Sequence, residues 1–278
     1  MAAMTYATVM VNLILGRSNA HALAAAVAVA EQCGAGIIGV AACRPIEIAC
    51  PDYAVPAALY EQDRKQAAQQ MTAAEIEFHE AVDRLNRATE WHARTTALPL
   101  ADHLLRQARG ADLIVTAAPP PNVPLDVTRQ VDIRDLVMGA GRPVLFVPNR
   151  PPPKRFDRIL VAWKDTREAQ RAIADALPLL VDCPHVSIVE ITSPEELAAA
   201  RIGMAEVMRW LGHHQVRAEA MVTLSSGANA RQLHTIARNA GADLVVAGAY
   251  GYRREREWTL GGVTADLLAA DRCVLFAH

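Results

Sequence analysis

Between Gly248 and Thr264 the chain carries four glycines (Gly248, Gly251, Gly261, Gly262) and three arginines (Arg253, Arg254, Arg256). Glycine lets a ligand approach the main chain closely and tolerates positive φ. Backbone N–H groups presented by such a loop, with a helix N-terminus behind it, suit an anion, above all a phosphate. Guanidinium groups are natural phosphate partners. The plainer reading of the arginines is a solvated turn that pairs with Glu255 and Glu257, and we prefer it; Arg253 nevertheless stays in the candidate set.

The rest of the chain offers little competing chemistry. His103 and His234 stand at matched repeat positions, with no Ser or Cys nucleophile at a usable spacing, so surface placement or a contact between domains is expected. His213-His214 lacks a nearby cysteine pair and reads as a solvated helix end, which leaves no metal site. No two carboxylates stand out as an acid and a base, and no catalytic residue is assigned. Five cysteines (Cys33, Cys43, Cys50, Cys183, Cys273), odd in number and without a CxxC pair, read as reduced thiols of a cytoplasmic protein. A net charge of −2 argues against nucleic-acid or membrane-surface binding. No apolar run reaches transmembrane length, and the N-terminus lacks the basic start of a signal peptide.

The elements that must position the loop follow from patterning. Leu244-Val245-Val246-Ala247 reads as a buried parallel strand, and Val263–Leu268 has apolar residues at helical spacing. Upstream, strands are expected at about 6–15, 36–43, 91–97, 113–116 and 143–147. Between them lie an alanine-rich helix to Cys33 and a long amphipathic helix from Ala57 to Ala88 with Met71, Ala74, Phe78, Val82 and Leu85 on one face. A helix over Pro99–Arg109 and a short one over 129–139 complete the set. Pro148-Asn149-Arg150-Pro151-Pro152-Pro153 is a stiff linker. The order then recurs, with strands at 158–163, 186–191, 216–224, 243–247 and 273–277 and helices at 167–180, 194–212, 228–240 and up to Ala270.

The recurrence extends to individual residues. Gly110-Ala111-Asp112-Leu113-Ile114-Val115 matches Gly241-Ala242-Asp243-Leu244-Val245-Val246 at an offset of 131, and Asp135-Leu136-Val137 matches Asp266-Leu267-Leu268 at the same offset. Arg142-Pro143-Val144-Leu145-Phe146 matches Arg272-Cys273-Val274-Leu275-Phe276 after a one-residue gap. Two successive runs of strand and helix imply a duplicated α/β domain, residues 1–150 and 151–278, with parallel sheets covered on both faces.

With the repeat and the Gly248-x2-Gly251-x9-Gly261 spacing together, the chain resembles a tandem universal stress protein, whose fourth strand runs into a glycine loop of that spacing. Leu260, Val263 and Thr264 fit the family's wording as well. The resemblance implies two Rossmann-like domains, each a five-stranded parallel sheet of order 3-2-1-4-5 with helices on both faces. It implies an ATP or ADP site at the carboxyl ends of strands 1 and 4, with Mg entering only alongside ATP. It also implies pairing through the fifth strands, here between the two domains, and leaves room for a homodimer. The site residues carried over are Ala162, Trp163, Lys164, Asp165 and Thr166 at the end of strand 1, with Gly248, Gly251, Arg253, Gly261, Gly262, Val263 and Thr264 from the loop.

Two departures stand against binding. Gly262 occupies the place of the family's Ser or Thr, so a phosphate would lose that hydroxyl. Lys164 stands where nucleotide binders carry Asp, and it cannot accept a hydrogen bond. The first domain has diverged further: Ala117, Pro120 and Gln130 replace the three glycines, and Pro119-Pro120-Pro121 offers no N–H groups. That half is expected to be nucleotide-free. The leading reading is a stress protein whose second domain binds an adenine nucleotide as a sensor. The alternatives are a nucleotide-free interaction protein and, ranked last, a weak ATPase for which Asp165 is the sole metal-binding candidate.

Overall fold

The structure, a computed structural model, describes residues 5–46, 56–120, 123–249, 266–268 and 271–278. The first half contains β1 (Thr8–Leu13), α1 (Ala20–Cys33), β2 (Gly36–Cys43), α2 (Ala57–Val82), β3 (Thr89–Thr95), α3 (Leu100–Gln107), β4 (Leu113–Ala117), α4 (Ile133–Ala140) and β5 (Val144–Val147). The second contains β6 (Arg158–Ala162), α5 (Arg167–Asp175), α6 (Leu177–Leu180), β7 (His185–Thr192), α7 (Leu197–His213), β8 (Ala218–Leu224), α8 (Asn229–Asn239), β9 (Leu244–Gly248) and β10 (Cys273–Ala277).

All ten strands form one sheet in the order β3-β2-β1-β4-β5-β10-β9-β6-β7-β8. Counted within each half, both orders are 3-2-1-4-5, as expected. Every neighbouring pair is parallel except β5 and β10, which meet antiparallel with Leu145 opposite Leu275. That central pairing reverses the direction of the second half. The carboxyl ends of β1 and β4 therefore lie along one edge of the sheet, and those of β6 and β9 along the other. Each half has its own point where the crossovers leave in opposite directions, between β1 and β4 and between β6 and β9.

Alternate residues of each strand feed two apolar layers. On one face Val9, Val11, Leu13, Ile159 and Val161 pack with Leu23, Val29, Phe78, Ile173, Met204 and Leu211 from α1, α2, α5 and α7. On the other, Met10, Val40, Leu160 and Val245 pack with Leu104, Leu136, Leu233 and Ala237 from α3, α4 and α8. Both layers continue across the junction, where the rings of Phe146 and Phe276 meet edge-on, 6.0 Å apart. Further inter-half bonds run from the buried Tyr6 hydroxyl to the Asp175 carbonyl at 2.7 Å and from Arg171 to the Gly141 carbonyl at 3.1 Å.

Several boundaries depart from expectation. α2 stops at Val82, its last buried residue, and tight turns follow, with Leu85 N–H donating to the Val82 carbonyl. The helix expected over Arg167–Leu180 is two helices, because Pro178 lacks an N–H and its ring clashes with the carbonyl four residues back. β3 and β8 are not covered on both faces. They are the outer strands, and most of their residues are exposed.

Candidate functional site

At the β6/β9 point the sheet brings the two sequence-predicted stretches together. Ala162 pairs with Ala247, and Gly248 continues β9 alongside β10, opposite Ala277. Beyond β6 the chain makes one more sheet bond, Trp163 N–H to the Val189 carbonyl at 2.8 Å, then turns through Lys164 and Asp165 into α5. Thr166 caps that helix, its hydroxyl accepting from Ala169 N–H at 3.3 Å. Lys164 and Asp165 stand exposed at the rim. Asp165 accepts from the Gln170 side chain at 3.2 Å. Gly251, Arg253, Gly261, Gly262, Val263 and Thr264 lie outside the described residues, as do Trp258 and Cys50.

Two of the expected site residues also take part in packing. Gly248 is not in the positive-φ region. A Cβ placed there would lie 2.6 Å from Ala169 N and 2.6 Å from the Glu168 carbonyl carbon. Its missing side chain lets β9 meet the first turn of α5, so close packing requires a glycine there. Trp163 is 7% exposed and turned into the core, and its indole N–H has no hydrogen-bond partner among the described residues. It lines a hollow of about 380 Å3 between α5 and α7, together with Asp165, Gln170, Glu206 and Trp210.

One residue escaped the sequence reading. Glu190, on β7, is 5% exposed. Burial pushes its carboxyl up, Lys164 opposes that, and Asp165 and Glu196 reinforce it. Its charge thus belongs electrostatically to the rim. The available signal was a lone carboxylate inside the otherwise apolar run Ile188–Ile191. His103 is a further correction. It is 4% exposed rather than on the surface, because α3 turns it towards the sheet beside Leu100 and Leu104. Burial, with Arg94 and Arg106, pushes its imidazole down towards the neutral form.

At the corresponding edge of the first half, side chains are bonded to one another around hollows of about 440 and 290 Å3. Arg129, buried, forms an ion pair with Asp63 of α2 and donates to Gln70 Oε1 at 3.0 Å and to the Thr128 carbonyl at 3.2 Å. Arg44 N–H bonds the Thr128 carbonyl at 2.9 Å, which ties the segment after β4 to the end of β2. The turn after β1 is fixed by Asn19, whose Oδ1 accepts from Ile14 N–H at 2.8 Å, and by Glu77 of α2, which accepts from Ser18 and from Asn19 N–H. Gly16, at φ +79°, closes against the Gln70 amide.

No protein-family model matches the sequence, and no curated protein matches it. Solved structures do match. A universal stress protein from Archaeoglobus fulgidus DSM 4304 superposes with a TM-score of 0.69 at 12% identity, covering 97% of this chain and 95% of that one. The chain has the universal stress protein fold. A functionally unknown protein from Pseudomonas aeruginosa PAO1 shares it, with a TM-score of 0.64 at 14% identity over 98% and 92% of the two chains. In that fold the β6/β9 edge is the crevice outside the carboxyl ends of the strands, where open α/β sheets bind their ligands. Among the described residues no group of three or more His, Cys, Asp or Glu side chains could hold a metal ion, and no helix is long and apolar enough to cross a membrane.

Proposed function

We propose that the chain is a stress-response protein of the universal stress type, in two domains (residues 1–150 and 151–278), whose second domain binds an adenine nucleotide as a sensor. The observation that carries this reading is the Gly248-x2-Gly251-x9-Gly261 spacing directly after β9, beside the end of β6. Of that spacing Gly248, the last residue of β9, stands at the crevice outside the carboxyl ends of the strands, where such folds bind ligands. Lys164, exposed at the rim, has the reach and charge for a phosphate. Mg would enter with ATP, through its phosphates and Asp165. The first domain supplies structure, Arg129 at its own crevice being engaged with Asp63 and Gln70.

A second reading, an interaction protein without nucleotide, is favoured by Gly248, whose missing side chain is taken up in packing against α5. Gly262 and Lys164 in place of Ser/Thr and Asp point the same way. Mass spectrometry of small molecules released from protein purified without added nucleotide, followed by calorimetric titration with ATP, separates the two. Near-stoichiometric adenine nucleotide or a micromolar isotherm supports the sensor. No release, and no heat at millimolar ATP, establishes the second reading. Gly251→Val should abolish any binding, whereas Pro120→Val should leave it unchanged.

A further inference from the structure

At the edge of the sheet opposite the β6/β9 crevice, the amino ends of β9 and β10 face the linker that leaves β5. A hollow of about 270 Å3 opens there, lined by Arg150 from the linker, Arg238 from the last turn of α8, Arg272 just before β10, and Asp243 and Asp271. Three guanidinium groups thus converge from three segments. Among the described residues none of them makes a side-chain hydrogen bond or an ion pair. Nε and Nη1 of Arg272 are buried without a hydrogen-bond partner among the described residues. Asp271 favours the Arg272 charge from a distance, but neither carboxylate bonds the guanidinium. Asp243 is engaged with the N–H groups of Asp157 and Arg158 at 3.1 and 3.2 Å, and Asp271 is exposed and forms no ion pair with Arg272.

Buried donors on a charged group are costly to leave unmet, and a planar guanidinium edge fits an oxyanion through two parallel hydrogen bonds. We propose that this hollow binds a small, multiply charged oxyanion of phosphate size, held by Arg272 Nε and Nη1 and flanked by Arg238 and Arg150. At about 270 Å3 the hollow has room for a free phosphate or a terminal phosphoryl group. Burial first, and then the neighbouring Arg150 and Arg238, push the Arg272 guanidinium down, and an entering anion offsets that repulsion. Because Arg150 belongs to the linker, occupancy fastens the linker to the second half.

The test is the thermal midpoint of the full chain against inorganic phosphate, with ionic strength held constant by chloride. The expected result is a saturable rise. Arg272→Met and Arg238→Ala should each shift the half-saturating phosphate concentration upward by tenfold or more, and Gly251→Val should not shift it. Absence of a saturable rise overturns the proposal. So does a response unchanged in both arginine variants, or one lost only in Gly251→Val, which would place the phosphate in the glycine loop. If Arg272→Met does not fold, Arg238→Ala, altered at an exposed side chain, decides the matter with a phosphate isotherm.

Discussion

A methyl group at Gly248 would collide with the backbone of α5 rather than with a side chain able to swing aside. Gly248→Ala should therefore destabilise the fold by about 1–3 kcal/mol, the usual range for overpacking, as read from the denaturant midpoint. Gly251→Val, by contrast, is expected to act on affinity, so the two glycines separate packing from binding. Glu190 gives a pH signature. Burial raises its proton affinity in the folded chain above that in the unfolded one, so the folded state binds more protons between the two pKa values and stability falls as pH rises through that interval. Glu190→Gln should accordingly melt at a higher temperature at pH 7–8, and the gap should close on acidifying below the unfolded carboxyl value of about 4.3. Cys273, whose thiol is pushed up to about 12 chiefly by burial, should resist iodoacetamide at pH 8 in the native protein and react once it is unfolded, as peptide mass spectrometry would show.

Among the elements, the Arg129 anchorage is the feature that most separates the two halves. Removing one partner of a buried ion pair strands the other, at a typical cost of 3–5 kcal/mol. Asp63 retains some exposure, so Arg129→Met is expected to cost about 3 kcal/mol, with a double-mutant cycle against Asp63→Asn isolating the pair. This anchorage was not legible in the sequence, since Asp63, Gln70 and Arg129 meet only through the fold. What was legible followed from periodicity. Apolar runs and the Gly-Ala-Asp repeat placed the inner strands, the recurring order placed the largely exposed β3 and β8, and the repeat carried the 3-2-1-4-5 order through its resemblance. Pro178 was visible as a helix breaker and was passed over. The loop residues fared differently: spacing named them, yet Gly248 shows that a motif glycine can owe its place to a neighbouring helix. Glu190 and His103 were misjudged or missed because burial depends on the direction a side chain faces, which composition does not carry.

For the whole molecule, the β5–β10 junction matters most. Phe276, 1% exposed, packs against Phe146 at the meeting of the halves. Phe276→Ala should cost about 3–5 kcal/mol and split a single calorimetric unfolding transition into two, one for each half. A variant that still melts in one transition would show that the helices on either face, through contacts such as Tyr6 to Asp175, suffice to couple them.

That junction also changes the reaction order of assembly. Two separate domains joining through the same strands would dissociate on dilution, but here the linker, residues 148–153, tethers the end of β5 to the start of the second half. A short tether holds its ends at an effective concentration in the millimolar range, so the encounter is intramolecular. The sheet should therefore melt at the same temperature across a hundredfold range of protein concentration. Cleaving the linker with a protease should make that temperature depend on dilution for the first time.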